Sequence, residues 1–142
     1  MSDCIEGRIV RISRPAEAVY MIFSDFSHFV RFISIDVIEK YELKIGEETI
    51  IGKAYGFELG MQIAERTPFS CIVYKQYGRM PIEFSLAVNI TTLAPGTCDF
   101  QLILETELPG IYKMMLGNKL QEVVDKLTDN IEAGFNMGVG YI

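Results

Sequence analysis

Four side chains stand where alternation along expected strands would aim them at the interior: Arg8, Glu65, Lys75 and Tyr77. With Val10 and Ile12 inward, a period of two brings Arg8 to the same side. With Ile63 inward, Glu65 follows, and with Val73 and Tyr77 inward, Lys75 lies between them. A buried charge is costly unless it is paired or meets something polar. Such a set could form a small polar patch that orients an otherwise apolar ligand. Joined by tyrosines, it could also supply an acid–base pair that moves protons at carbons beside carbonyls. The simpler reading puts these charges near strand ends, where their stems cover apolar surface and their heads reach water. Tyr20, Tyr41, Tyr55 and Tyr74 could also bring hydroxyls to a pocket, but tyrosine is an ordinary strand residue too.

No complete catalytic set emerges, and no catalytic residue is assigned. His28 is the only histidine, so any Ser–His–Asp or Cys–His arrangement would have to use it. It has no serine or cysteine partner at a motif spacing and sits in an expected helix beside Phe26 and Phe29, which argues for packing. Cys4, Cys71 and Cys98 are odd in number and far apart, with no CxxC or Cys/His spacing. Three free thiols in a reducing cytoplasm are expected, with no metal and no cofactor. Gly52, Gly56 and Gly60 lack the spacing and the Lys-Ser/Thr of a phosphate loop. They are better read as places where a curved sheet bends.

The bulk properties narrow the classes further. A net charge of −6 and no basic run argue against nucleic acid and against docking on anionic membranes. The N-terminal residues lack the pattern of a signal peptide. No apolar run approaches the ~20 residues of a spanning helix, so no stable membrane insertion is expected. With 142 residues, 49% hydrophobic and 23% charged, the chain fits a single domain over 1–142.

The elements that would position these groups follow from periodicity. Residues 4–13 read as a strand. Pro15 opens a short helix with Glu17 in its first turn and Val19, Ile22 and Phe23 on its apolar side. Asp25 caps a second short helix through Phe32. From about 35 to 108 the period is two, clearest where Phe84, Leu86, Val88 and Ile90 alternate with smaller or polar residues. Turn signals at 45–47, 55–56, 67–68, 78–81 and 94–96 divide this region into about six strands in a meander. After Pro109-Gly110 the period becomes helical. Leu116, Leu120, Val123, Val124, Leu127 and Ile131 make an apolar stripe on a helix from Ile111 to Phe135, with Gly117 as a bend or the true start.

The stretch VRISRPAEAVYMIFSDFSHFVRF, Val10 to Phe32, resembles the opening of the START/polyketide-cyclase superfamily, which includes the birch-pollen-allergen fold. The matching features are the alternating Val10 and Ile12, Pro15, the pair Val19-Tyr20, and Asp25. Leu116 to Ile131 resembles the family's gripping helix. The chain departs from the family's usual pattern in having no Trp after Val19 and no Pro in 32–35. The resemblance implies an α+β helix-grip fold: a curved antiparallel sheet of about seven strands wrapped around a long C-terminal helix, with two short helices after the first strand.

It also implies an interior cavity for an apolar small molecule such as a lipid, an isoprenoid or a polyketide-like aromatic. Cyclase/aromatase-type enzymes and protein-interaction domains are the alternatives known in the superfamily. Leu59, Met61, Ile63 and Val73 are expected to line the cavity, with Phe84, Leu86, Val88, Leu102 and Leu104 from the later strands. Leu120, Val124 and Leu127 would close it from the helix. The chain then runs Phe135, Met137, Val139, Tyr141, Ile142 with small or polar residues mostly between them, a strand-like apolar tail. It would either pack against a second copy in a homodimer or fold back over the pocket mouth.

Overall fold

Gly7 divides the first strand into β1 (Asp3–Glu6) and β2 (Val10–Ile12), where the sequence suggests one element over 4–13. Both pieces pair antiparallel with the same partner strand. The computed structural model describes residues 3–28, 35–54, 57–78, 83–108, 110–116 and 119–136. Helix α1 (Ala16–Phe23) follows, with Pro15 at its N-cap and Glu17 in its first turn. Proline has no N–H to lose there. Ala16, Val19, Tyr20 and Phe23 form its buried side.

Asp25 then caps a single 3₁₀ turn at 26–28, its Oδ1 accepting from the Ser27 backbone N–H at 2.8 Å and the Ser27 hydroxyl at 2.6 Å. Partial burial works against the Asp25 carboxylate, but these two donors, helped by His28 and Arg66, hold its pKa below the usual carboxylate value. The expected continuation to Phe32 lies outside the described residues. Helix α2 (Ile35–Lys40) occupies ground that the sequence assigns to the start of the meander.

Six antiparallel strands come next: β3 (Lys44–Ile45), β4 (Thr49–Ala54), β5 (Phe57–Thr67), β6 (Cys71–Gln76), β7 (Glu83–Ala94) and β8 (Thr97–Glu107). Each pairs with the next, and the sheet order is β1-β8-β7-β6-β5-β4-β3, with β2 also on β8. The register sets the two faces. Tyr74 stands opposite Ile63 and Leu86, Leu86 opposite Leu104, and Val88 opposite Ile72 and Leu102. These residues form the inner face. Most of them are buried, and the rest pack against the buried core.

The expected single C-terminal helix is two elements, α3 (Gly110–Leu116) and α4 (Lys119–Asn136). Gly117, read from sequence as a bend or a start, lies outside the described residues. Helix α4 spans about 27 Å at 1.5 Å per residue and packs on β1, β2 and β8. It comes close to the backbone at Gly7. A Cβ there would stand 3.0 Å from Val124 Cγ1 and 3.1 Å from Thr128 Oγ1, so the missing side chain is what admits the helix. Phe135, read from sequence as part of an apolar tail, instead belongs to the core, 2% exposed and 6.2 Å from the Phe23 ring. Residues 137–142 lie outside the described residues. The result is a helix-grip α+β fold, a curved, unclosed antiparallel sheet holding a long C-terminal helix.

Candidate ligand-binding site

Between the inner face of the sheet and α4 lies an apolar cavity with two neighbouring lobes. The inner lobe, about 210 Å³, is walled by Phe23 and Phe26 before the meander, by Met61, Tyr74 and Leu86 from the sheet, and by Leu127 and Ile131 from α4. The outer lobe, about 500 Å³, reaches toward Tyr41, Leu43, Lys53 and Leu59, with Val123 on its helix side. Ile50 and Met61 border both. The combined space is in the range of small-molecule sites. The cavity opens to solvent along α4, where Val123 and Leu127 are 48% and 40% exposed.

The inner lobe has an aromatic end. Phe26 and Tyr74 stack at 5.1 Å with a 30° tilt, a favourable offset arrangement. The Tyr74 hydroxyl donates a hydrogen bond to the Phe23 backbone carbonyl, at the C-terminus of α1. This bond pins α1 to the centre of the sheet and satisfies the one polar atom of a buried side chain. Burial also pushes the Tyr74 pKa well above its ordinary value, so the hydroxyl stays protonated. Gly60 shapes the outer lobe: a Cβ there would meet the Tyr77 carbonyl oxygen at 2.5 Å. Gly52 likewise faces Leu43 and the Tyr41 carbonyl. Both glycines permit close approach of neighbouring chain; Gly56 lies outside the described residues.

The sequence-based candidates divide into three groups. Met61, Leu86, Val88, Leu102 and Leu127 line the inner lobe, and Leu59, Met61 and Phe84 the outer. Ile63, Leu104 and Val124 are packed into or against the core beside these lobes, and Leu120 is half-buried on α4.

Val73 and the four polar candidates are placed elsewhere. β6 buries Ile72 and Tyr74, so Val73 points to the outer face, opposite Glu65 and Ala87. Lys75 shares that face, opposite Gln62 and Ser85, in a polar depression with Glu83 and Glu105. Glu65 is turned outward by a register shift between Ile63 and Glu65, which breaks the alternation that would have aimed it inward. Tyr77 lies just past the end of β6, exposed, with its backbone N–H on Gly60 O at 2.9 Å. Arg8 reaches across to the outside of α4, where its guanidinium binds Asp129 at 2.8 Å and Glu132 at 2.7 Å. Those hydrogen bonds raise its pKa still further above its ordinary value.

His28 is exposed, its Nδ1 2.9 Å from the Met21 carbonyl oxygen. Among the described residues no cluster of His, Cys, Asp and Glu could hold a metal ion, and no helix is long and apolar enough to cross a membrane.

Sequence reasoning missed Phe23, Phe26, Ile50, Asn130 and Ile131 as inner-lobe residues, and raised Tyr74 only as one of several tyrosines that could bring a hydroxyl to a pocket. Tyr74 hides in Cys71-Ile72-Val73-Tyr74, an unbroken apolar run in which neither parity stands out. Phe23 and Phe26, three apart across the end of α1, were the one signal that could have been read.

This architecture is the START/SRPBCC helix-grip fold. A START superfamily protein from Mycobacterium smegmatis superposes with a TM-score of 0.63 at 15% identity, covering 94% of this chain and 97% of the other. Zhui aromatase/cyclase from Streptomyces sp. R1128 gives 0.59 at 18% identity, covering 96% and 90%. Norcoclaurine synthase from Thalictrum flavum, in complex with dopamine and hydroxybenzaldehyde, gives 0.61 at 10% identity, covering 94% and 86%. No family model and no curated protein sequence matches the chain.

Proposed function

We propose that this chain is a single-domain binding protein for an apolar small molecule, held between the sheet and α4. The observation that carries the reading is the cavity wall. Apart from the rim, the inner lobe is lined by carbon, and its one buried hydroxyl, on Tyr74, is already committed to Phe23. A cyclase-type reaction needs a group that can take up or release a proton beside the substrate. The polar residues that sequence alternation offered for that task, Arg8, Glu65, Lys75 and Tyr77, face away from both lobes or lie outside them. Tyr41 and Lys53 border only the outer lobe, so the inner lobe favours binding over catalysis. Free cysteines at 4, 71 and 98 fit a cytoplasmic setting.

The test uses N-phenyl-1-naphthylamine, a neutral dye whose fluorescence rises in apolar surroundings. The protein should bind it, and Leu86→Trp, which fills the inner lobe, should weaken binding at least tenfold while circular dichroism stays unchanged. The native chain has no tryptophan, so the new residue also reports its own burial by emission. A folded Leu86→Trp protein that binds the dye as well as the parent would overturn the proposal.

A further inference from the structure

Helix α4 carries its cavity-facing residues at Val123, Leu127 and Ile131. Asn130 interrupts that stripe, three residues after Leu127 and seven after Val123, a spacing that puts it on the same side of the helix. It contributes to the wall of the inner lobe. Asparagine is a poor residue for a helix interior, because its side chain competes for backbone hydrogen bonds. Asn130 is exposed at the rim, so water meets its carboxamide when no ligand is present. Among the described residues the Asn130 carboxamide has no hydrogen-bond partner. By contrast, its neighbours Asp129 and Glu132 are both engaged with Arg8.

We infer that Asn130 is the polar specificity residue of the cavity, and that the ligand is a neutral, mainly hydrocarbon molecule bearing one hydroxyl or carbonyl group that meets Asn130 at the rim. This rests on the binding reading above. A carboxamide offers both an N–H donor and a carbonyl acceptor, so it can read either group. Charge argues for a neutral ligand. The inner lobe has no cationic side chain to balance an anion, Lys53 bordering only the outer lobe, and the polar side of α4 carries Glu122, Asp125, Asp129 and Glu132 against Lys119 and Lys126. A cation would meet no carboxylate on the inner-lobe wall and would lose its hydration uncompensated. A ligand whose polar group stays at the rim keeps its apolar body against Phe26, Leu86 and Leu102.

The test is displacement of N-phenyl-1-naphthylamine by 1-decanol, 2-decanone, decane and decanoate, in the parent protein and in Asn130→Leu, which is nearly isosteric. Asn130→Leu should weaken 1-decanol and 2-decanone about five- to tenfold, the scale of one lost hydrogen bond. Decane and the dye itself should bind unchanged, and Asn130→Gln should restore part of the loss. Decanoate should be the weakest of the oxygenated competitors. An equal change for all four competitors, or no change for the alcohol and ketone, would overturn the role of Asn130 while leaving the cavity reading intact. Preference for decanoate would overturn the neutral ligand class. A parent protein that fails to bind the dye would remove the cavity reading, and this inference with it.

Discussion

Along α4, the flank bearing Val124, Thr128 and Phe135 lies buried on the β1, β2 and β8 side, while the flank bearing Val123 and Leu127 faces β4 and β5 across an apolar gap. The first is closed by the helix resting on the bare backbone of Gly7, by Phe135 against Phe23, and by Arg8 tying Asp129 and Glu132 from outside. Thr128, fully buried there, satisfies its hydroxyl by donating to the Val124 carbonyl at 2.8 Å. The second flank has apolar side chains but, among the described residues, no such partner across from it. One amphipathic helix thus does two jobs. Side chains on the closed flank contribute stability, and those on the other flank line the apolar gap.

The largest effect that can break this contrast comes from a pair of truncations. Phe135→Ala removes a fully buried ring and should cost about 3–5 kcal/mol of unfolding free energy in a denaturant titration. Leu127→Ala, on the half-exposed flank, should cost well under half of that and instead weaken dye binding. If the two variants lose equal stability, the flanks are not distinct. Gly7→Val comes next. Its side chain would press on Val124, Thr128 and the Leu102 carbonyl, so the expected loss is about 1–3 kcal/mol, with the dye still bound by the folded fraction. A neutral effect would mean that α4 does not rest on Gly7.

The smallest effect is pH dependence on the closed side. Burial, joined by the negative charges of Asp99 and Glu17, pushes the Cys98 thiol up to about 11. A native pKa above the unfolded one means the folded state holds its proton longer. The stabilisation is then fully present below about pH 9 and is lost as pH rises through the native value. By pH 10.5 the loss should reach about 1–2 kcal/mol, measured as a falling melting temperature. Cys98→Ala should flatten part of that decline. The rest belongs to other alkaline groups, Tyr74 among them, whose pKa is also raised by burial. An unchanged slope in Cys98→Ala would show that the thiol titrates as if exposed.

Much of the architecture was legible before any coordinates, because it is written in local periodicity. Phe84, Leu86 and Val88 alternate with smaller side chains, and that alone marks β7 and its inner face. Turn residues at 45–47, 67–68 and 94–96 cut the meander at the observed places. Leu120, Val124, Leu127 and Ile131 mark α4 by their spacing. The break at Gly7 was less visible. A glycine inside a strand pattern can mark a bulge, a bend or a close contact, and only the helix pressing on it tells which.

What the sequence by itself determined is therefore the succession of strands in the meander, the long amphipathic helix, and the apolar character of the space between them. These follow from repeats of two and of about 3.6 residues, which each segment carries alone. Which side chains enter that space was decided only in three dimensions. In Cys71-Ile72-Val73-Tyr74 every residue is apolar, so the choice of Tyr74 over Val73 for the inner face came from pairing with β5 and β7. The shift after Ile63 reversed the direction of Glu65, and no pattern inside β5 announces it. Arg8 found its carboxylates on α4, more than a hundred residues away in the chain, because the sheet edge and the helix meet there. A side chain's direction within one element is local chemistry, but its partner depends on where the other elements come to rest.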